Sequence, residues 1–298
     1  MKQTKTETAD DRFKGIDQWP GDQVLLAVIE SQEKSVTAVR AAIPMMAAAA
    51  DEAAKRLRGT QGRLVYIGAG TPARLAVQDG SELTPTYGWP RVRLAFVIAG
   101  REKALLQPVE GAEDDVQAAL DAIAELNLTR DDVCIAVSAS GTTPFTVAAM
   151  RAAKARGAQT VGIASNPDTP LLQDADFALF LDSGAEPVAG STRMNAGTAQ
   201  KVALNMFSTL TMIKLSRVYD GMMVDMELTN AKLRKRAVRM IGEITGCTAD
   251  EATQALSKAG DSIKLAVLVV KGLAPEEGKT LLKNCDGNLR NALIQLRP

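Results

Sequence analysis

The chain of 298 residues contains no histidine, and that absence excludes more chemistry than any other feature of the sequence. Without an imidazole there is no Ser-His-Asp or Cys-His catalysis, no His-ligated zinc and no histidine pH switch. Net charge is missing too. The 35 Lys and Arg residues balance 35 Asp and Glu residues, so no basic stripe points to nucleic acid and no polybasic anchor to anionic lipid. The partner expected is a small molecule or another protein. Cysteine is scarce: Cys134, Cys247 and Cys285 are odd in number, far apart and outside any CxxC spacing. They read as reduced thiols, not as a disulfide framework or a metal cluster. Long apolar runs are also lacking, and no segment reaches the roughly 18 uninterrupted apolar residues needed to cross a bilayer. The opening MKQTKTETADDRFKG is polar where a secretory signal would be apolar. A cytoplasmic protein without a membrane segment is expected, with no metal and no cofactor.

What is present is the composition of an ordinary folded chain, 46% hydrophobic and 23% charged. From Gly21 to about Arg58, Leu25, Val28, Ile29, Val36 and Val39 recur at helical spacing, with Pro44 expected to kink or split the helix. Short apolar, β-branched runs follow at Leu64 to Ile67, Val92 to Ala99, Val133 to Val137, Thr160 to Ala164 and Phe177 to Leu181. They lack strict alternation, as strands buried on both faces do. Helical stretches separate several of them; Glu113 to Leu126, for example, places Val116, Leu120 and Ile123 on one face. This pattern predicts an α/β protein with a parallel sheet and helices on both sides.

A long apolar helix is expected from about Met194 to Ser216. After the connection from Met222 to Asn230 the pattern changes to short helices. Thr248 and Glu251 have capping-box spacing, Asp261 and Pro275 stand where N-cap and N1 residues belong, and Gly272 where a C′ glycine does. The expected organisation is an N-terminal helical segment at 1–58, an α/β ligand-binding domain at 59–222 and a small all-helical domain at 223–298.

Two loops leave predicted strands and open helices, the place where open α/β sheets bind ligands. The first is Gly68-Ala69-Gly70-Thr71-Pro72-Ala73, which by itself fits the G-x-G-x-x-A dinucleotide fingerprint. That fingerprint requires an acidic residue at the end of the next strand, but Val92 to Ala99 ends in Gly100 and Arg101. Arg101 leaves an NADP reading open. The second loop is Ser138-Ala139-Ser140-Gly141-Thr142-Thr143-Pro144. Its hydroxyls, a glycine and a helix N-terminus make a phosphate cradle that needs no cation. Two such loops without a Walker lysine suit a sugar phosphate better than a nucleoside triphosphate.

The second loop resembles the phosphate loop of sugar isomerase (SIS) domains. Gly68-Ala69-Gly70-Thr71, Arg74-Leu75, Asp79-Gly80-Ser81-Glu82 and Pro85-Thr86-Tyr87-Gly88 resemble the N-acetylmuramic acid 6-phosphate etherase family of that superfamily. So do Val109-Glu110-Gly111-Ala112-Glu113-Asp114, Gly190-Ser191-Thr192-Arg193-Met194, Ala196-Gly197-Thr198-Ala199-Gln200-Lys201, Met223-Val224-Asp225 and Thr229-Asn230. The resemblance runs from about residue 60 to the C-terminus. It implies a flavodoxin-like, doubly wound SIS domain and a lyase that releases D-lactate from N-acetylmuramic acid 6-phosphate by elimination across C2 and C3 followed by water addition.

The family match implies Glu82 as proton donor to the leaving oxygen and Glu113 as its partner acid/base at C2. Two carboxyls of different pKa can do this work without histidine. It implies substrate contacts from Gly70, Thr71, Ser138, Ser140, Gly141, Thr142 and Thr143, and from Ser191, Thr192 and Arg193 across the pocket. Glu186 and Lys201 are read as structural. A homodimer is expected because SIS relatives commonly complete their pockets across a dimer.

Four positions depart from the family pattern. Pro72 and Ala73 replace Ser and Gly in the first loop, Thr142 stands where Arg is usual, and Asn195 stands where Lys is usual. Two positive charges near the ligand are thus expected to be missing, and the anion to be held mainly by backbone dipoles. Both glutamates remain. The competing readings are a non-catalytic sugar-phosphate regulator of the glucokinase regulatory protein type, a SIS aldose-ketose isomerase, and the NADP oxidoreductase.

Overall fold

The structure, a computed structural model, describes residues 5–296. Among these, two compact units are formed, one of residues 5–80 and 92–209, the other of 81–91 and 210–296. The first contains a five-stranded, wholly parallel sheet of β1 (Leu64–Gly68), β2 (Leu94–Ile98), β3 (Val133–Val137), β4 (Gln159–Ala164) and β5 (Phe177–Phe180). The strand order is β2-β1-β3-β4-β5, the flavodoxin-like doubly wound order. The central strands β1, β3 and β4 are buried at every position. That explains their continuous apolar sequence, since both faces are covered.

Helices α1 (Gly21–Leu57), α2 (Gly70–Tyr87), α3 (Lys103–Leu106), α4 (Val116–Leu126), α5 (Pro144–Ala155), α6 (Pro170–Asp174) and α7 (Asn195–Lys214) follow the chain. On one face Val65, Ile67, Ile123, Phe145, Met150 and Leu171 are part of one buried cluster. On the other, α1 packs along β5 and β3 through its small residues Ala49, Ala50 and Ala53, all fully buried. Arg63 and Asp132 clamp the entry ends of β1 and β3, with guanidinium to carboxylate contacts of 2.9 and 3.1 Å. Burial would raise the Asp132 carboxyl, but hydrogen bonds from Arg63 and Thr129 outweigh it and hold the group below its ordinary value.

Several expected boundaries shift. Pro44 does not split α1, which runs as one helix through it. Position 44 is exposed, as is Arg40, whose carbonyl loses its intrahelical donor, so solvent can satisfy that group. β2 begins at Leu94, not at Val92, because Arg91–Arg93 form a 3-10 turn. There Arg93 is tied to the carbonyls of Gly62 and Leu57. α4 begins at Val116, not Glu113: Asp115 accepts from the Ala118 N-H and caps the helix.

In the second unit, α8 (Ala231–Thr245), α9 (Ala249–Lys258), α10 (Ile263–Val270), α11 (Pro275–Asn284) and α12 (Leu289–Gln295) enclose a core that includes Ala237, Ile241, Leu256 and Leu268. The Thr248 and Glu251 capping box forms, and Pro275 opens α11. Asp261 does not cap α10; Ser262 does, while Asp261 takes a left-handed conformation with φ of 68°. Residues 81–91 join this unit through Arg217, whose Nη1 donates to the carbonyls of Tyr87 and Gly88. Asp225 accepts from Lys264 Nζ in a largely buried pair.

One buried titratable group links β1, α2 and α7. Asp79 accepts from the Tyr66 hydroxyl at 2.9 Å, the Ser208 hydroxyl at 3.1 Å and Asn205 Nδ2 at 3.4 Å. Burial pushes its carboxyl up, and these hydrogen bonds only partly oppose the shift. Between the ordinary value of 3.8 and the raised folded value, the folded chain binds a proton more readily than the unfolded chain. Stability from this group is therefore gained as pH falls through that window. Relative to Asp79→Asn, which cannot titrate, the wild-type Tm should rise as pH is lowered from neutrality, as read by thermal unfolding of both proteins over a pH series. A Tm difference that does not change with pH would refute the assignment.

Candidate active site

β1 and β3 lie side by side with Gly68 opposite Val137, so the loops that follow them leave the sheet together. From this point the chain winds outward to β2 on one side and to β4 on the other, which opens a crevice at the carboxyl ends of the strands. A cavity of about 420 Å³ occupies it. Gly70 and Thr71 line it from the first loop, Ser138, Ser140 and Thr143 from the second, Glu113 from the turn before α4, and Thr192 from the segment before α7.

The second loop gathers three hydroxyls. Ser138 Oγ lies 2.9 Å from Thr143 Oγ1 and 3.2 Å from Ser140 Oγ, and Ser140 lies 3.4 Å from Thr143. Gly141 makes this possible, with φ of +73° and a carbonyl that accepts from Leu171. A Cβ there would lie 2.3 Å from Thr169 Oγ1, so only glycine fits without displacement. The Gly141 N-H donates to Ser138 Oγ and the Thr142 N-H to Ser140 Oγ. α5 starts immediately after this corner with Pro144 at its first turn, so three hydroxyls and a helix N-terminus converge on one spot.

Glu113 is tied to the same corner through its backbone. Its carbonyl accepts from the Phe145 N-H, in the first turn of α5, at 3.0 Å. Its carboxylate lies against the first loop, where a Cβ on Gly70 would meet Glu113 Oε1 at 2.8 Å. A carboxylate and an anion cradle thus face one cavity. That pairing suits proton transfer on a ligand anchored by a phosphate.

The other expected residues are placed differently. Gly141 is buried and Thr142 is exposed, and neither lines the cavity; nor do Ser191 and Arg193. Glu82 is exposed on α2, within residues 81–91 of the second unit, and is not among the lining residues. Arg101, the residue that kept an NADP reading open, also lies outside the lining.

Asn195, where the family usually has Lys, is not among the residues that line the cavity. Asn195 is fully buried, and its Nδ2 donates to Ser31 Oγ at 2.7 Å and to the Ala185 carbonyl at 3.0 Å, so its side chain points away from the cavity. Glu186 caps α7 there, accepting from the N-H groups of Asn195 at 2.7 Å and Ala196 at 2.9 Å. Burial pushes its carboxyl up while those two N-H groups draw it down.

Two charged lining residues went unassigned in the sequence. Arg74 supplies a cation, its Nε fixed on the Ala104 carbonyl at 3.0 Å. Its place one turn after Thr71 on α2 was the available signal. Glu7, far away in sequence, also reaches the cavity.

Residues 109–210 match the SIS domain family, and residues 45–154 match the glucokinase regulatory protein N-terminal SIS domain. The chain is 46% identical over 97% of its length to the N-acetylmuramic acid 6-phosphate etherase of Deinococcus radiodurans, of which it covers 95%. It belongs to the N-acetylmuramic acid 6-phosphate etherase family. A second relative bearing that name, from Yersinia pestis, is 43% identical over 90% of this chain and 92% of its own. The solved structure of a phosphoheptose isomerase from Francisella tularensis superimposes with a TM-score of 0.50 at 15% identity, covering 65% of this chain and 98% of that one. That likeness shows the fold alone.

In this family member the Ser138 hydroxyl holds the loop together and faces the cavity. Ser138→Ala should weaken binding of inorganic phosphate by about tenfold in titration calorimetry, the value of one hydrogen bond of about 1.4 kcal/mol. Wild-type affinity in that variant would remove the hydroxyl corner as the anion site.

Proposed function

We propose that the chain is a carbon-oxygen lyase that cleaves the D-lactyl ether of N-acetylmuramic acid 6-phosphate. The products are N-acetylglucosamine 6-phosphate and D-lactate. The observation that carries this reading is a single cavity, in a chain of the etherase family, where a hydroxyl corner built for an anion faces the Glu113 carboxylate.

In this reading Ser138, Ser140 and Thr143 hold the phosphate with the α5 N-terminus, Arg74 adds the positive charge, and Gly70, Thr71 and Thr192 bound the sugar. Gly141 shapes the loop. The aldehyde of the opened sugar makes the C2 proton acidic. Glu113 takes that proton, the electron pair forms the C2=C3 bond, and the C3-O bond breaks. The family match assigns the proton for the departing lactyl oxygen to Glu82. Water then adds, its hydroxyl to C3 and a proton to C2. Each proton transfer contributes about 10² to 10⁴ in rate, and no imidazole is required.

The protein incubated with N-acetylmuramic acid 6-phosphate should release D-lactate, with oxygen from labelled water at C3 of the product. Glu82→Gln and Glu113→Gln should each lower turnover by about 10²-fold or more while N-acetylglucosamine 6-phosphate still binds. Sugar phosphate bound without lactate release would favour a sensor, the reading to which the match with the regulatory-protein SIS domain lends weight.

The same reading places the enzyme in the cytoplasm as a homodimer. Helix α1 exposes Leu25 at 71%, Leu26 at 58% and Ile29 at 55%, and Ile29, Val36 and Ile43 recur every seventh residue along its exposed side. A heptad seam of this kind packs against a second helix. A second copy supplies one with the same seam. Ile29→Glu combined with Val36→Glu should therefore convert the dimer to a monomer in analytical ultracentrifugation; unchanged sedimentation would exclude this face.

A further inference from the structure

Glu7 stands well before the first strand, which begins at Leu64, yet it lines the same cavity as Glu113 and the hydroxyl corner. The segment that carries it is built into the site. Thr6 is fully buried; its carbonyl accepts from the Gly190 N-H at 3.1 Å and its hydroxyl accepts from Asn166 Nδ2 at 3.0 Å. The Thr6 N-H reaches Asn166 Oδ1 at 3.4 Å. Asn166, itself buried, directs the same Nδ2 toward the carbonyls of Ala139 at 3.4 Å and Ser140 at 3.3 Å. One asparagine therefore ties the N-terminal arm to the loop expected to hold phosphate. Lys5 adds an ion pair with Asp182 at 2.8 Å, although an exposed pair of this kind contributes little.

The carboxylate at position 7 sits over Gly190, where a Cβ would approach Oε2 to 3.0 Å. It is a pure acceptor when ionised, and it shares the cavity with Glu113 and with an anion cradle. Two carboxylates cannot face a phosphate favourably, so Glu7 must meet the part of the ligand that donates hydrogen bonds. On a sugar phosphate that part is the hydroxyl-bearing ring.

We propose that Glu7 is a sugar-binding residue, delivered to the cavity by the N-terminal arm to accept a hydrogen bond from a sugar hydroxyl. The proposal rests on the reading of the cavity as a sugar-phosphate site and goes beyond it by dividing the ligand between two segments of the chain. The phosphate is held by the loop after β3 and the ring by the arm.

The test uses the full chain and two probes, N-acetylglucosamine 6-phosphate and inorganic phosphate, in titration calorimetry, with lactate release assayed in parallel. Glu7→Ala should weaken binding of the sugar phosphate by about 10- to 100-fold, the range of a hydrogen bond to a charged group, with inorganic phosphate bound as in wild type. Glu7→Gln, which keeps a neutral acceptor, should lie between the two. In turnover the loss should appear in KM more than in kcat. Thr6→Val, which removes the acceptor for Asn166 Nδ2, should weaken the sugar phosphate selectively as well. Sugar-phosphate affinity within twofold of wild type in Glu7→Ala, or a parallel loss of inorganic phosphate binding, would overturn the proposal. A wild-type chain that binds the sugar phosphate but releases no lactate would sink the etherase reading alone, and Glu7 would still be judged by the two probes. A wild type that does not bind the sugar phosphate would overturn both.

Discussion

The parallel pairing of β1 with β3 is the constraint on which the candidate site depends. Residues 64–68 and 133–137 are neighbours only because they share a hydrogen-bonded ladder, and the ladder sets Gly68 level with Val137. Each strand ends in a sharp turn into a helix, and the turns meet where the winding direction reverses. The clamp between Arg63 and Asp132 at the opposite end keeps that register. A slip of one residue would move Gly70 away from Glu113 and turn every strand side chain to the other face.

Around this pairing the chain solves an electrostatic problem without histidine. In the proposed reading, anion holding falls to Ser138, Ser140 and Thr143 at the head of α5, and proton transfer to carboxyls. One backbone hydrogen bond from Phe145 to Glu113 ties the backbone that carries the carboxylate to the start of α5. Arg74 is the cation among the described lining residues, which also include Glu113 and Glu7. Position 195 has no part in that balance, because its side chain is buried among Ser31, Ala185 and the cap made by Glu186.

Much of this organisation was legible in the residues themselves. Strands buried on both faces carry continuous apolar runs, and Val133 to Val137 falls where the pattern puts it. The hydroxyl loop was legible as well, because its spacing and the proline after it are local signals. Periodicity does not carry the competition of side chains for backbone groups. Arg93 donates to the carbonyls of Gly62 and Leu57, distant in sequence, just before β2 begins, and Asp115 sets the start of α4 locally by accepting from the Ala118 N-H.

Residue type and short spacing were enough for the parallel α/β architecture, the helical C-terminal region, the hydroxyl-rich loop before α5 and the exclusion of imidazole chemistry. Tertiary structure alone decided which side chains share the cavity. Glu7 and Arg74 line it, Thr142 and Arg193 do not, and residues 81–91 with Glu82 belong to the unit that holds the C-terminal helices. The physical reason is that a cavity wall is set by strand register and by long-range hydrogen bonds such as those between Thr6 and Asn166, residues separated by 160 positions. No local pattern encodes a contact of that range.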